Sequence, residues 1–172
     1  MAVPERGYPG ESLLPRSVQS GVLCPCMLAL LFFSQKVMKT QSVLELSDVQ
    51  AIAAAAQAEA QKNNWAVSIA IVDAGGHLLH FQRLNGAPPI SSHIAPAKAH
   101  TAALGQRESK VYEDVINGGR YSFLSAPTVE GMLEGGVPIL KDGACLGAVG
   151  VSGVKSNEDA QIAKAGIAAI GL

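Results

Sequence analysis

The stretch Gly135-Gly-Val-Pro-Ile-Leu-Lys-Asp-Gly-Ala-Cys-Leu-Gly-Ala-Val-Gly-Val-Ser-Gly153 decides the fold. Asp142-Gly143 lies between two apolar runs, which is the strongest short-range signal for a β-hairpin. The second run is so rich in glycine that it offers few side chains for packing. Glycine in a strand usually marks a close approach by other backbone or by a ligand. We therefore predict a hairpin whose second strand lies against either a ligand or a subunit.

The segments before this hairpin predict two helices and a second hairpin. Ser47 and Gln50 have the spacing of a capping box, which predicts a helix to about Lys62. Ser91 or Ser92 begins an alanine-rich helix to about residue 104, in which Pro96 is tolerated in the first turn. Between these helices the alternation of apolar residues predicts strands over 66–72 and 77–83, joined by a turn at 73–76.

The remaining segments are shorter. A helix is predicted over 110–116 and a short strand over 128–133. Ser156 with Asp159 forms a second capping-box pattern, which predicts a helix to the C-terminus. Two hairpins joined through a helix predict an α+β domain in which an antiparallel sheet is flanked by helices.

Composition narrows the classes of function. Charged residues make up 16% of the chain, below the roughly 25% typical of soluble domains, and 48% is hydrophobic. Much of the hydrophobic share is alanine, which favours tightly packed Ala/Gly surfaces in an oligomer over burial in a membrane. The net charge of −1, without a basic block, argues against nucleic acid as a partner.

The first 37 residues differ from the rest of the chain. Their apolar run, Val22–Phe33, is too short for a membrane span, which needs about twenty apolar residues. We interpret residues 1–37 as an extension that is disordered or not native, with an export signal or a structured arm as alternatives. The domain then covers 38–172. The cysteines form no disulfide framework, which favours the cytoplasm.

The histidines are the candidate ligands for a metal. His93 and His100 fall on one face of the predicted second helix, but about 10 Å of axial rise separates them, too far for one zinc ion. Haem needs only one axial ligand in an apolar slot. His93 is the first candidate ligand of haem iron and His100 the second; an exposed histidine without a role is the alternative. No nucleophile motif identifies catalytic residues.

Two cations and the ends of the glycine-rich hairpin complete the predicted site. Arg83 ends a strand and Lys98 lies in the second helix, so we expect both to flank one pocket mouth and to pair a carboxylate or haem propionate. Two ordinary surface cations are the alternative. The hairpin ends expected at the edge of the same pocket are Gly135, Gly136, Ser152 and Gly153.

Several segments resemble the GlcG/HbpS family, the haem-binding and haem-degrading domain also found at the C-terminus of PduO-type proteins. They are Val72-Asp-Ala-Gly-Gly-His-Leu-Leu79, Arg83-Leu-Asn-Gly-Ala87, Ala97-Lys-Ala-His-Thr-Ala102, the hairpin over 135–153 and Glu158-Asp159, in the family's order over about residues 40–172. Where family members often carry aspartates, this chain has Asn85 and His93. We therefore expect the loop between them to be less acidic and His93 to be a candidate ligand for haem iron, with a different small ligand as the alternative.

The resemblance implies a profilin/PAS-like fold, haem as cofactor, and self-assembly into dimers, tetramers or octamers. It leaves three hypotheses for the function. The first is a cytoplasmic homo-oligomeric haem-binding protein, with haem degradation or sensing as its activity. The second is an enzyme or accessory protein for a small organic acid such as glycolate, with His93 or His100 as general acid or base. The third is a structural oligomer without a ligand.

Overall fold

The computed structural model describes residues 40–172, and the extension predicted over 1–37 lies outside this range. Thr40–Leu172 forms one compact unit. Its strands are β1 (Ser68–Asp73), β2 (Leu78–Arg83), β3 (Gly136–Lys141) and β4 (Ala144–Ser152), and its helices are α1 (Leu46–Lys62), α2 (Ser91–Gly105), α3 (Lys110–Asn117), a 3-10 turn (Tyr121–Ser125) and α4 (Ser156–Ala168). Over this range, no helix is long and apolar enough to cross a bilayer.

The four strands form one antiparallel sheet in the order β2-β1-β4-β3. The predicted α+β class is therefore confirmed. Asp142 and Gly143 join β3 to β4 with φ angles of 50° and 77°. Positive φ at both central residues defines the type I′ turn, whose twist matches that of the flanking strands. The Asp-Gly signal thus predicted this hairpin correctly.

The two faces of the sheet carry residues of different size. Ile69 and Ile71 of β1 point to one face, where they join the larger apolar core with α1 and α4. Ala70 and Val72 alternate to the other face and pack against the alanines of α2. Because the α2 face is built from small side chains, the helix backbone lies close to the strands.

The glycines of β4 allow this close approach. A Cβ atom at Gly150 would overlap the Ala95 carbonyl oxygen and would lie 2.5 Å from the Ala99 nitrogen, both in α2. One at Gly147 would overlap the backbone of Val72 in the neighbouring strand. The predicted neighbour of the glycine-rich strand was a ligand or a subunit. That prediction is wrong, because a helix of the same chain fills the space.

Both helix starts lie close to the predicted capping boxes but not on them. The Glu45 N–H donates to the Asp48 carboxylate at 2.9 Å, so α1 is capped from Glu45 and not from Ser47. At α4, the Lys155 N–H donates to Glu158 at 3.1 Å. The acceptor that closes the box is therefore Asp48 instead of the predicted Gln50 at α1, and Glu158 instead of the predicted Asp159 at α4.

Two further predictions are wrong. Pro96 lies in the second turn of α2 and not the first, which leaves the Ser92 carbonyl without its intrahelical donor. Residues 128–133 form no strand; they run irregularly, with Thr128 at a φ of 65°. Their backbone is held from outside, since the Thr101 hydroxyl accepts the Gly131 N–H at 3.1 Å.

Candidate functional site

A cavity of about 480 Å³ lies between α2 and the turn that joins β1 to β2. The α2 wall consists of His93, Pro96, Ala97 and His100. Residues three, four and seven apart lie on one face of a helix, so a single face of α2 forms this wall. The predicted common face of His93 and His100 thus becomes one side of a cavity.

The other walls are mostly apolar. Val72 and Leu78 line the cavity from the sheet, and Thr128 and Glu130 line it from the irregular segment. The only charged side chain among the described lining residues is Glu130. Cavities of this size with an apolar lining and few polar groups are typical of small-molecule sites.

The turn before β2 closes the cavity over His100. The Asp73 carboxylate accepts the Gly75 N–H at 2.8 Å and the His77 N–H at 2.9 Å, which fixes the turn. Burial raises the pKa of Asp73, but these donors outweigh it and hold the pKa below its ordinary value of 3.8. A Cβ at Gly76 would come within 3.0 Å of His100 Nε2. Glycine at this position therefore makes room for the imidazole.

The two imidazoles are available to a ligand. His93 is exposed at the cavity rim, and His100 is half-buried beneath the turn. Neither ring makes a hydrogen bond with the residues that the structure describes, whereas the His77 Nδ1 lies 3.1 Å from Asp73 Oδ2. His93 and His100 thus offer free ring nitrogens at the two ends of one apolar wall.

Lys98 does not reach the cavity, which corrects the prediction made for it. It is five residues after His93, about 140° around the helix, so it points to a different side of α2. Its ammonium donates to Asp159 Oδ2 at 2.9 Å and to the Val151 carbonyl at 3.0 Å. With 3% of Lys98 exposed, the cation is not accessible to a carboxylate or propionate.

Arg83 lies in a second cavity, so it does not share a pocket mouth with Lys98 or His93. It ends β2, about 17 Å along the strand from Leu78. There the guanidinium donates to the Ala87 carbonyl from both Nε and Nη2.

The ends of the glycine-rich hairpin are packing positions, which corrects their prediction as pocket residues. A Cβ at Gly135 would lie 2.7 Å from the Lys98 ammonium, and one at Gly136 would overlap the Lys98 carbonyl. Ser152 is buried opposite Ser68 in the sheet. Gly153, at a φ of 149°, brings the chain against Ala66 and Val67. None of the four lines the His93–His100 cavity.

The cavity residues that the sequence did not predict are Val72, Gly76, Leu78, Pro96, Ala97, Thr128 and Glu130. Helical periodicity from His93 contained the signal for Pro96 and Ala97. Thr128 and Glu130 lie in irregular backbone, for which periodicity carries no signal.

Comparison with known proteins agrees with the fold and with the predicted resemblance. Protein GlcG of Escherichia coli (strain K12) is 54% identical over 115 residues, which cover 67% of this chain and 85% of that protein. The crystal structure of HbpS superposes with a TM-score of 0.72 at 31% identity, covering 79% of this chain and 96% of HbpS. The crystal structure of the PduOC:Heme complex superposes with a TM-score of 0.68 at 30% identity, covering 74% of this chain and 95% of that chain.

The sequence profile of the family described as "Haem degrading protein HbpS-like" matches residues 44–168. This range contains every strand and helix of the described fold, and the helix and turn that form the His93–His100 cavity. The chain belongs to the HbpS-like family.

Proposed function

We propose that this protein binds haem in the His93–His100 cavity, with His93 as the axial ligand of the iron. The observation that carries the proposal is the pair of free imidazoles on an apolar wall. The donor set suits haem, which needs one nitrogen ligand and an apolar slot. The relative crystallised as a haem complex, 30% identical, supports the same ligand class.

His93 is the better axial ligand because it is exposed at the rim, where iron can approach its ring. His100 lies under the Gly76 turn and is less accessible. Val72, Leu78 and Pro96 would exclude water from the porphyrin faces. Bound haem supplies an iron that takes up small ligands and electrons, and haem degradation or sensing would depend on the same binding step.

The lining favours haem over a small organic acid in this cavity. A small acid enclosed in the cavity would need a cation beside its carboxylate, and the described lining residues offer Glu130 and no Lys or Arg. The propionates of haem are confined to one edge of the porphyrin and would remain in water at the cavity mouth. We also propose that the protein works in the cytoplasm as a homo-oligomer. The support for self-association is the edge strand β2, where Leu78, Leu79 and Phe81 are exposed.

Titration of the full chain with hemin tests the proposal. We expect a Soret band shifted from that of free hemin, and affinity weakened about tenfold or more in His93→Ala, equivalent to about 1.4 kcal/mol or more. His77→Ala is the matched control, because its exposed imidazole pairs with Asp73 outside the cavity lining. An unshifted Soret band, or equal loss in both variants, would contradict the assignment.

A further inference from the structure

A second cavity, of about 540 Å³, lies between the C-terminal end of α1 and the end of β2. Its lining differs in chemistry from that of the His93–His100 cavity. The polar side chains are carboxamides and one guanidinium, and no described lining residue is acidic. The lining includes Gln57, Gln61, Asn64, Trp65, Arg83 and Asn85.

The Arg83 guanidinium is held in place and keeps a free edge. Its Nε and Nη2 donate to the Ala87 carbonyl at 3.0 and 2.6 Å. A guanidinium has five N–H donors, so the Nη1 group and one Nη2 hydrogen remain. These donors form the terminal fork that binds a carboxylate through two parallel hydrogen bonds. Anchoring by Ala87 reduces the entropy that binding would cost.

The carboxamides that line the cavity with Arg83 each provide an N–H donor group and a carbonyl acceptor. Gln57 and Gln61 are four residues apart on α1, so their side chains share one face. Asn64 follows the helix with a φ of 58°, and Asn85 follows β2. None of these four side chains hydrogen-bonds to another described residue. Each amide can donate and accept, as adjacent hydroxyl groups of a ligand require.

Trp65 adds an apolar surface to this polar lining. It is the single tryptophan of the chain, and it packs on the larger core while remaining half-buried at the cavity. An aromatic face binds the C–H face of a sugar ring, and the indole N–H adds a donor.

We propose that this cavity binds a small carboxylate with several hydroxyl groups, of the sugar-acid class. Arg83 binds the carboxylate, and the carboxamides bind the hydroxyls beside Trp65. The site is independent of the haem site, because it has a different lining and lies at the other end of β2.

Fluorescence of Trp65 reports on the cavity directly. The full chain, without hemin, is titrated with D-glucuronate and D-gluconate. D-Glucose, which lacks the carboxylate, and acetate, which lacks the hydroxyls, serve as ligand controls. We expect a saturable change with at least one sugar acid, and affinity about tenfold or more weaker for both controls.

Substitutions of lining residues test whether the sugar acid binds in this cavity. Arg83→Gln and Arg83→Lys should each weaken binding about tenfold, because both lose the planar fork. Gln61→Ala, at an exposed helix position, removes one carboxamide without altering the Ala87 contact and should also weaken binding. Arg107→Gln is the matched control, because Arg107 also donates to a backbone carbonyl, that of Gly105 at 3.1 Å, outside this cavity.

The proposal is overturned if neither sugar acid gives a saturable change, or if Arg83→Lys and Gln61→Ala both bind like the wild type. Equal weakening in His93→Ala would also overturn it, because the ligand would then occupy the other cavity. The Soret titration is a separate readout, so failure of haem binding and failure of this proposal are distinguishable.

Discussion

Lys98 and Asp159 form a buried ion pair whose charged atoms are all engaged. The ammonium binds Asp159 Oδ2 and the Val151 carbonyl, and Asp159 Oδ1 accepts the Val154 N–H at 3.3 Å. Only 3% of Lys98 and 2% of Asp159 is exposed. The pair joins α2 to the start of α4 beside the end of β4. Lys98, which was predicted to bind a ligand, therefore holds helices α2 and α4 together instead.

Lys98→Met is expected to lower the free energy of unfolding by about 3–5 kcal/mol, because it leaves the Asp159 carboxylate buried without a partner. Lys98→Met/Asp159→Leu removes both charges and should recover most of that loss. Urea unfolding followed by circular dichroism measures both variants. A single variant as stable as the wild type would show that the pair contributes nothing.

The free energy of unfolding of Lys98→Met should also depend on pH differently from that of the wild type. Burial raises the pKa of Asp159 above its ordinary value of 3.8, and Lys98 opposes that effect. Without Lys98 the pKa of Asp159 rises further, so the folded variant binds this proton more tightly than the unfolded chain. The stabilisation by the protonated form is present below 3.8 and is lost as the pH rises through the folded pKa.

Between about pH 4 and 7, the free energy of unfolding of Lys98→Met should therefore lie closest to that of the wild type at the acid end. Lys98→Met/Asp159→Leu lacks the titrating carboxyl and serves as the control, because its free energy of unfolding should show no fall through the pKa of Asp159. A deficit of the single variant that grows on acidification would contradict the assignment to Asp159.

At the level of elements, the contact of β4 with α2 determines how closely helix and sheet approach. Gly150→Ala places a methyl group where the Ala95 carbonyl lies. We expect a loss of about 2–3 kcal/mol in unfolding free energy, because the helix must move away from the sheet. Urea unfolding measures this loss as a lower midpoint concentration, with the slope of the unfolding free energy against urea unchanged.

Gly143→Ala is the control for Gly150→Ala. No atom lies within 4 Å of a Cβ at Gly143, but its φ is 77°. The variant should lose only about 1 kcal/mol through backbone strain. An equal loss in the two variants would show that the contact between β4 and α2 is not the cause.

Elements with strong local signals were predicted well from the sequence. The Asp142-Gly143 turn and the alternation in β1 are local, because turn chemistry and side-chain period act over a few residues. Residues 128–133 were predicted as a short strand, but they lie outside the sheet. Their position depends on contacts from Thr101 of α2, which no local pattern encodes.

The residues of the candidate site were likewise predicted correctly where local spacing determines their positions, and incorrectly where distant contacts determine them. His93 and His100 share a wall because helical spacing alone places them there. The partner of Lys98 is Asp159, 61 residues later in the chain, and the sequence predicted that residue only as a helix cap. Arg83 and Lys98 seemed close because a short loop separates their elements. Arg83 instead lies at the far end of β2, and Lys98 points to a different side of α2 from His93.

Across the whole molecule, the two sheet edges differ in their capacity to pair with another chain. Pro138 interrupts β3, and proline lacks the N–H that a neighbouring strand would require. Strand β2 contains no proline, and three of its residues, Leu78, Leu79 and Phe81, are exposed by 56%, 42% and 37%. An exposed apolar edge of this kind is the natural place for a second copy to bind.

We therefore expect the wild type to sediment as a multiple of the 17.7 kDa chain, and Phe81→Lys to shift the population toward the monomer. A lysine at the edge opposes pairing through charge and desolvation. Leu124→Lys is the matched control, since Leu124 is 67% exposed in the 3-10 turn, away from the sheet edge. Sedimentation velocity over a concentration series measures all three. If the wild type is monomeric throughout, self-association is wrong; if Leu124→Lys dissociates it equally, the interface does not lie on β2.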